Sequence, residues 1–339
     1  MFRPSGQIDW IFDRLTRNDW ALLGCHGTED RCSTAGISLA RLRKLATSDF
    51  ITVKDPPSRY SEKAGARLQS TLLELNRLPN VQYFEMGLLD SLDRVLAHVD
   101  GMIGNGKTNI VLDIFCFPKR FFFPIIKRLL RDDRVENLVA TYTVPATYAS
   151  DADAPLSEQN ATLDYLPAFQ PLESPYVPKR LIASVGYVVL GLSQIVQEAK
   201  SQQVDIDLLF PFPPGPPSYQ RNWRFVLDTF EFDGTRDANI FRIDGLDVSE
   251  TYNRLLSLTS NGTTNVWLAP FGSKPMSLAM AIFGVYHGAP VYYTQPSLYR
   301  PDYSIGVATI TQNNGMQKEA CYAYPLRLNS RDLYGHLAH

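Results

Sequence analysis

Apolar residues along the chain fall into two spacings. Short dense runs, ALLGC (21–25), DFITV (49–53), VQYFE (81–85), NIVLDIF (109–115) and LVATYT (138–143), have the length and composition of buried strands. Between them, GISLARLRKLA (36–46), GARLQSTLLELNRL (65–78), SLDRVLAHVD (91–100) and FFFPIIKRLLRD (121–132) repeat their apolar positions at helical spacing. The alternation then resumes. Strands are expected at LIASVG (181–186), DIDLLFPF (205–212), NIFRID (239–244), NVWLAP (265–270) and PVYYT (290–294). Helices are expected at VVLGLSQIVQEAK (188–200), VSETYNRLLSL (248–258) and PMSLAMAIFGVYHG (275–288). Continuously apolar strands separated by helices predict an α/β fold with mostly parallel sheets covered on both faces.

The two runs also match in order. Pro56 returns as Pro216, Gly87 as Gly245, Asn109 as Asn265 and Tyr142 as Tyr293, at spacings that fall smoothly from 160 to 151 residues. Such a drift is what an internal duplication with small deletions leaves. The expected layout is therefore two tandem Rossmann-like units. Residues 1–150 form the first, with an N-terminal helix, and residues 151–179 form an acidic, proline-rich linker. Residues 180–339 form the second, which ends in a C-terminal β-hairpin built from SIGVATITQ and EACYAYPLRL.

Composition narrows the class. A length of 339 residues suits two domains, and 45% hydrophobic with 20% charged residues suits a soluble globular chain. A formal charge of −2 argues against a surface devoted to duplex nucleic acid. No apolar run reaches the roughly eighteen residues of a membrane span, and MFRPSGQIDWIFDRL lacks the apolar core of a secretory signal. Cys25, Cys32, Cys116 and Cys321 lie at no metal-ligand spacing. A cytoplasmic protein with reduced thiols, no metal and no cofactor is the expectation.

GMIGNGKT (101–108) fits the phosphate-loop pattern, but a helical pattern precedes it and a strand pattern follows. A phosphate loop needs the opposite order, so that amides and a helix N-terminus face the ligand. Phe271-Gly272-Ser273-Lys274-Pro275 has that order, between strand NVWLAP and the next helix. There Gly272 allows close backbone approach, Ser273 caps the helix or donates to an oxygen, and Lys274 adds positive charge. At the equivalent place in the first half stand Asp113 and, beyond Cys116-Phe117-Pro118, Lys119 and Arg120, a carboxylate and two cations suited to a ribose and a phosphate or to structural pairing. Ser58 and Arg59 in one PPS loop and Ser218 in the other suit phosphate and base contact, or a tight proline-rich turn. Tyr148 and Tyr299 follow the last strand of each half, where they line a shared cleft or simply pack. His26 follows the first strand and is placed to hydrogen-bond a phosphate, whereas Cys25 beside it points to the opposite face. No nucleophile elbow or HExxH pair occurs, so catalysis has no support in the sequence.

GSKPMSLAMA (272–281) resembles the loop and following helix of CRISPR-associated Rossmann-fold (CARF) sensors and of their fused relatives, the SAVED domains. Those families bind cyclic or linear oligonucleotide messengers between two Rossmann-like units. The resemblance implies that Gly272, Ser273 and Lys274 touch phosphate or ribose, that the setting is prokaryotic antiviral defence, and that a separate effector chain is the partner. Two features depart from the family pattern: Phe271 stands where a second Gly or Thr is common, and the first half has CFPKR in place of GSKP. The expected function is a sensor or regulatory subunit for a nucleotide-type ligand held between the halves. The alternatives are an enzyme cleaving or transferring a nucleotide or sugar-phosphate group in the same cleft, and a scaffold subunit without a ligand.

Overall fold

The structure, a computed structural model, describes residues 3–148, 162–172, 175–186, 191–212, 238–296, 298–312 and 315–335. Ser218 and its proline-rich loop lie outside the described residues. The chain divides into two compact units: Met1–Ser157 with Ser297–Gly335, and Glu158–Pro296 with His336–His339.

The first unit is built on five parallel strands. Trp20–His26 pairs on one side with Leu45–Lys54, which carries Val81–Gly87, and on the other with Asn109–Asp113, which carries Asn137–Thr143. Counted along the chain, the order across the sheet is 3-2-1-4-5. Every residue of Trp20–His26, Asn109–Asp113 and Asn137–Thr143 is buried, which is why these strands read as unbroken apolar runs. Trp20, Leu22, Phe50, Leu75 and Val111 lie in one core cluster. Residues 101–108 do close the helix Leu92–Gly104 and lead into Asn109–Asp113, with Gly106 in the left-handed region at φ +82°.

The C-terminal segment corrects the expected boundary. Its long strand, Cys321–Leu328, does not close a hairpin on the second unit; it adds antiparallel to Asn137–Thr143, and Gly6–Gln7 adds beyond it. The physical reason is the edge: Asn137–Thr143 is buried along its whole length and would otherwise end the sheet with unpaired backbone N–H and C=O groups among apolar side chains. The stretch before it is divided, Ser304–Val307 pairing with Pro145–Tyr148 and Thr309–Thr311 with Gln317–Glu319. Arg327 fixes the added strand. It is 4% exposed, and its guanidinium donates to Asp132 O at 2.8 Å, Val135 O at 3.1 Å and Leu130 O at 2.5 Å while pairing with Asp332 at 2.6 Å. Leu130 ends the helix Lys119–Leu130, so this side chain serves carbonyls at and just beyond a helix C-terminus.

In the second unit Arg180–Ser184 pairs in parallel with Asp205–Pro211, which carries Asn239–Ile243, and on its other side with Val266–Pro270. The order is 3-2-1-4, the same as the first four strands of the first unit. The expected fifth strand departs from this. Val291 makes a single parallel bridge to Leu268, and Tyr292–Gln295 then pairs antiparallel with Thr162–Tyr165. That partner comes from the stretch expected to be an exposed linker. Leu166 and Phe169, both 2% exposed, explain the difference: the end of the linker carries core side chains, and Phe169 O accepts the amide of Val291. Among the described residues no helix is long and apolar enough to cross a membrane, and none of the four cysteines forms a disulfide.

One buried pair in the first unit lacks good partners. Asp49, on Leu45–Lys54, meets His98 of the helix Leu92–Gly104 at 3.7 Å, and His98 Nε2 has no hydrogen bond. Burial raises the Asp49 carboxyl, with His98 and Lys107 opposing, and lowers the His98 imidazole, with Asp49 opposing. A carboxyl raised on folding destabilises the fold above its unfolded value near 3.8 and costs nothing below it. Asp49→Asn is therefore expected to stabilise the protein by about 1–2 kcal/mol at neutral pH, the usual scale for a buried group without its partner. Urea titrations at pH 7 and near pH 3.5 check this: the gain should disappear at the lower pH.

Candidate functional site

In each sheet the strand order reverses between the first and fourth strands, and the loops leaving those two strands flank the crevice where such sheets take ligands. The loops after the fourth strands are the FGSKP and CFPKR segments. Each leads into a helix whose first residue is a lysine, Lys119 or Lys274. The two cradles differ in what their donors already hold.

In the second unit the loop is knitted to its neighbours. The Gly272 amide donates to Ser184 Oγ at 2.9 Å. Ser273 Oγ donates to Gly245 O at 2.6 Å and accepts the Met276 amide at 3.4 Å as the helix cap. A Cβ on Gly186 would stand 2.0 Å from Phe271 O, so the two switch-point loops are in backbone contact. The Phe271 ring is buried 5.8 Å from Tyr293. Gly272 and Ser273 thus serve the fold with the very groups expected to meet a ligand. Lys274 is half-buried beside them.

The first unit gathers more of the expected residues. Asp113 is 4% exposed and accepts the Thr141 hydroxyl at 3.3 Å and the Phe115 amide at 3.4 Å. Lys119, only 8% exposed, and Arg120 open the helix Lys119–Leu130, which has no side-chain cap and no acidic residue in its first turn. Cations at this end oppose the helix dipole. Arg120 donates to Asp90 O at 3.1 Å, and its buried Nε has no hydrogen-bond partner.

His26 is corrected. Its ring lies in the core, with Nδ1 3.0 Å from Thr52 Oγ1 and Nε2 2.9 Å from Leu68 O and 3.1 Å from Thr71 Oγ1, so both nitrogens are engaged. Burial lowers its pKa, keeping it neutral. The thiols nearby are no better placed for catalysis, since burial pushes Cys32 up to about 12 and Cys116 well above its ordinary value. Tyr148 and Tyr299 do not face each other from separate halves; both belong to the first unit. Tyr148 lies 5.4 Å from the Tyr303 ring, and burial beside Tyr142 and Tyr303 holds its phenol well above the usual range. The Tyr299 amide donates to Asp55 Oδ2 at 3.2 Å. Ser58 Oγ accepts the Tyr60 amide at 3.2 Å, as in a tight turn, and Arg59 lies over the Tyr60 ring.

Arg31 was not visible as a candidate. It follows the first strand, is 3% exposed, and lies 3.7 Å over the Phe115 ring. Its guanidinium donates to Thr143 O at 2.7 Å, Glu29 at 2.6 Å and Ser304 Oγ at 2.7 Å. A lone arginine in a TEDRC loop carries no pattern that marks it; the fold alone brings these partners together. Among the described residues no three His, Cys, Asp or Glu side chains are grouped to hold a metal ion.

No family model matches the chain, and no curated protein does. Among solved structures, it is similar to the cytoplasmic domain of a prokaryotic cation chloride cotransporter at 8% identity, covering 83% of this chain and 96% of that one with a TM-score of 0.25. It is also similar to a putative universal stress protein from Pseudomonas aeruginosa UCBPP-PA14 at 11% identity, covering 82% and 93% with a TM-score of 0.26. TM-scores this low do not define a shared fold. The class defined by the coordinates themselves is an α/β protein with two mostly parallel sheets.

Proposed function

We propose that this chain is a sensor or regulatory subunit that binds a nucleotide-type ligand at the carboxyl ends of its parallel strands. The observation that carries the reading is the repeated geometry: strand order 3-2-1-4 in both units, with a lysine-led helix leaving the fourth strand of each. On this reading the units are copies of one ancestral module. Lys119 and Arg120 supply charge to phosphate and Asp113 a ribose acceptor in the first unit, and Lys274 supplies charge in the second. By the resemblance of GSKPMSLAMA, the ligand is an oligonucleotide messenger in antiviral defence, and the effector is a separate chain. Binding is favoured over turnover because His26 is engaged and the Cys32 and Cys116 thiols are held protonated.

Mass spectrometry of small molecules released on denaturation, followed by calorimetry with short linear and cyclic oligoadenylates, tests the reading. Lys119→Ala and Lys274→Ala are each expected to weaken binding about tenfold, the scale of one charge-assisted phosphate contact. Affinity unchanged in both variants, or chromatography showing the oligonucleotide consumed, overturns it.

A further inference from the structure

A short segment of the first unit lies across the carboxyl ends of that unit's own sheet. Residues 299–303 run between buried Leu298 and buried Ser304. At one end the Tyr299 amide is held by Asp55, just after the second strand. At the other, Ser304 is held by Glu29 and Arg31, just after the first. Between these ties Asp302 projects onto the helix Ser61–Leu75, where it meets both Lys63 and Arg67, the latter at 3.0 Å.

Lys63 and Arg67 stand one helical turn apart and share a single carboxylate. Only Thr71 and Leu75 of that fifteen-residue helix are buried, so its first turns are not held by the core. Lys63 is 56% exposed and Arg67 26%, whereas Asp302 is 21% exposed. Lys63 holds its end of the contact in solvent, where an ion pair is weak, and a dianion offers two cations more than one carboxylate does.

We propose that Lys63 and Arg67 form an anion-binding subsite, suited to a phosphate or pyrophosphate group, which Asp302 of the same chain occupies as an internal stand-in. This deepens the proposed function and rests on it for the identity of the ligand. An incoming phosphate displaces Asp302 from the two cations.

The test is calorimetry with inorganic pyrophosphate. Asp302→Asn should bind it about fivefold more tightly than the natural protein, because the carboxylate that competes for the two cations is removed. Adding Lys63→Gln or Arg67→Gln to that variant should abolish the gain. No gain in Asp302→Asn or in the smaller Asp302→Ser, or a gain that survives loss of the cations, overturns the subsite. A nucleotide that binds the natural protein and is indifferent to Asp302 leaves the proposed function standing and removes the subsite. A cation-dependent gain for pyrophosphate, with no nucleotide bound by any form, does the reverse.

Discussion

Arg327→Met is expected to cost the first unit about 3–5 kcal/mol, the scale of breaking a buried ion pair. The methionine keeps much of the volume but supplies no donor, so Leu130 O, Asp132 O and Val135 O each lose a hydrogen bond and Asp332 keeps a charge that is only 12% exposed. Hydrogen exchange followed by mass spectrometry reads the effect locally. Protection should fall across Asn137–Thr143 and Cys321–Leu328, the two strands this side chain helps to hold together. Arg331→Ala, at an exposed position four residues on, should leave both protected. Equal protection in Arg327→Met would show that strand pairing alone holds the segment.

Gly186→Ala is the second large effect, expected in the other unit. A Cβ there meets a backbone oxygen 2.0 Å away, and Phe271 cannot turn that oxygen aside without moving the loop that positions Ser273 and Lys274. The expected loss is about 3 kcal/mol, at the upper end for overpacking, with a lower melting temperature by calorimetry. Gly65→Ala is the contrasting case. It lies inside the helix Ser61–Leu75 with nothing within 4 Å, so alanine should raise stability by up to about 1 kcal/mol. A tolerated alanine at 186 would mean that the two switch-point loops are not in register as described.

The central parallel strands were legible because burial on both faces leaves no polar alternation to confuse them. Predicted NIVLDIF and LVATYT lie on Asn109–Asp113 and Asn137–Thr143 to within two residues at either end. Pairing was less legible. EACYAYPLRL reads as a strand, but nothing local says that its partner lies in the first unit, far back along the chain. The connector misled for a related reason: its acidic start masked Leu166 and Phe169, two core residues in a proline-rich stretch. At the candidate site, strand-then-helix order located FGSKP and CFPKR correctly. What a hydroxyl or amide already bonds is not written in order or spacing, so Ser273 and Gly272 looked available. His26 misled in the same way, since Thr52, Leu68 and Thr71 surround it only after folding. Arg31 and Asp302 matter through contacts between distant segments, which a single sequence does not display.

Because the first unit is made from two segments with the second unit's Glu158–Pro296 between them, its synthesis has an order problem. The outermost parallel strand, ending at Thr143, leaves the ribosome roughly 180 residues before Leu328 arrives to cover it. At about 5–20 residues per second that is on the order of 9–36 seconds of translation with an apolar sheet margin uncovered. A nascent chain halted within the second unit would present that margin to chaperones, or to another copy of itself.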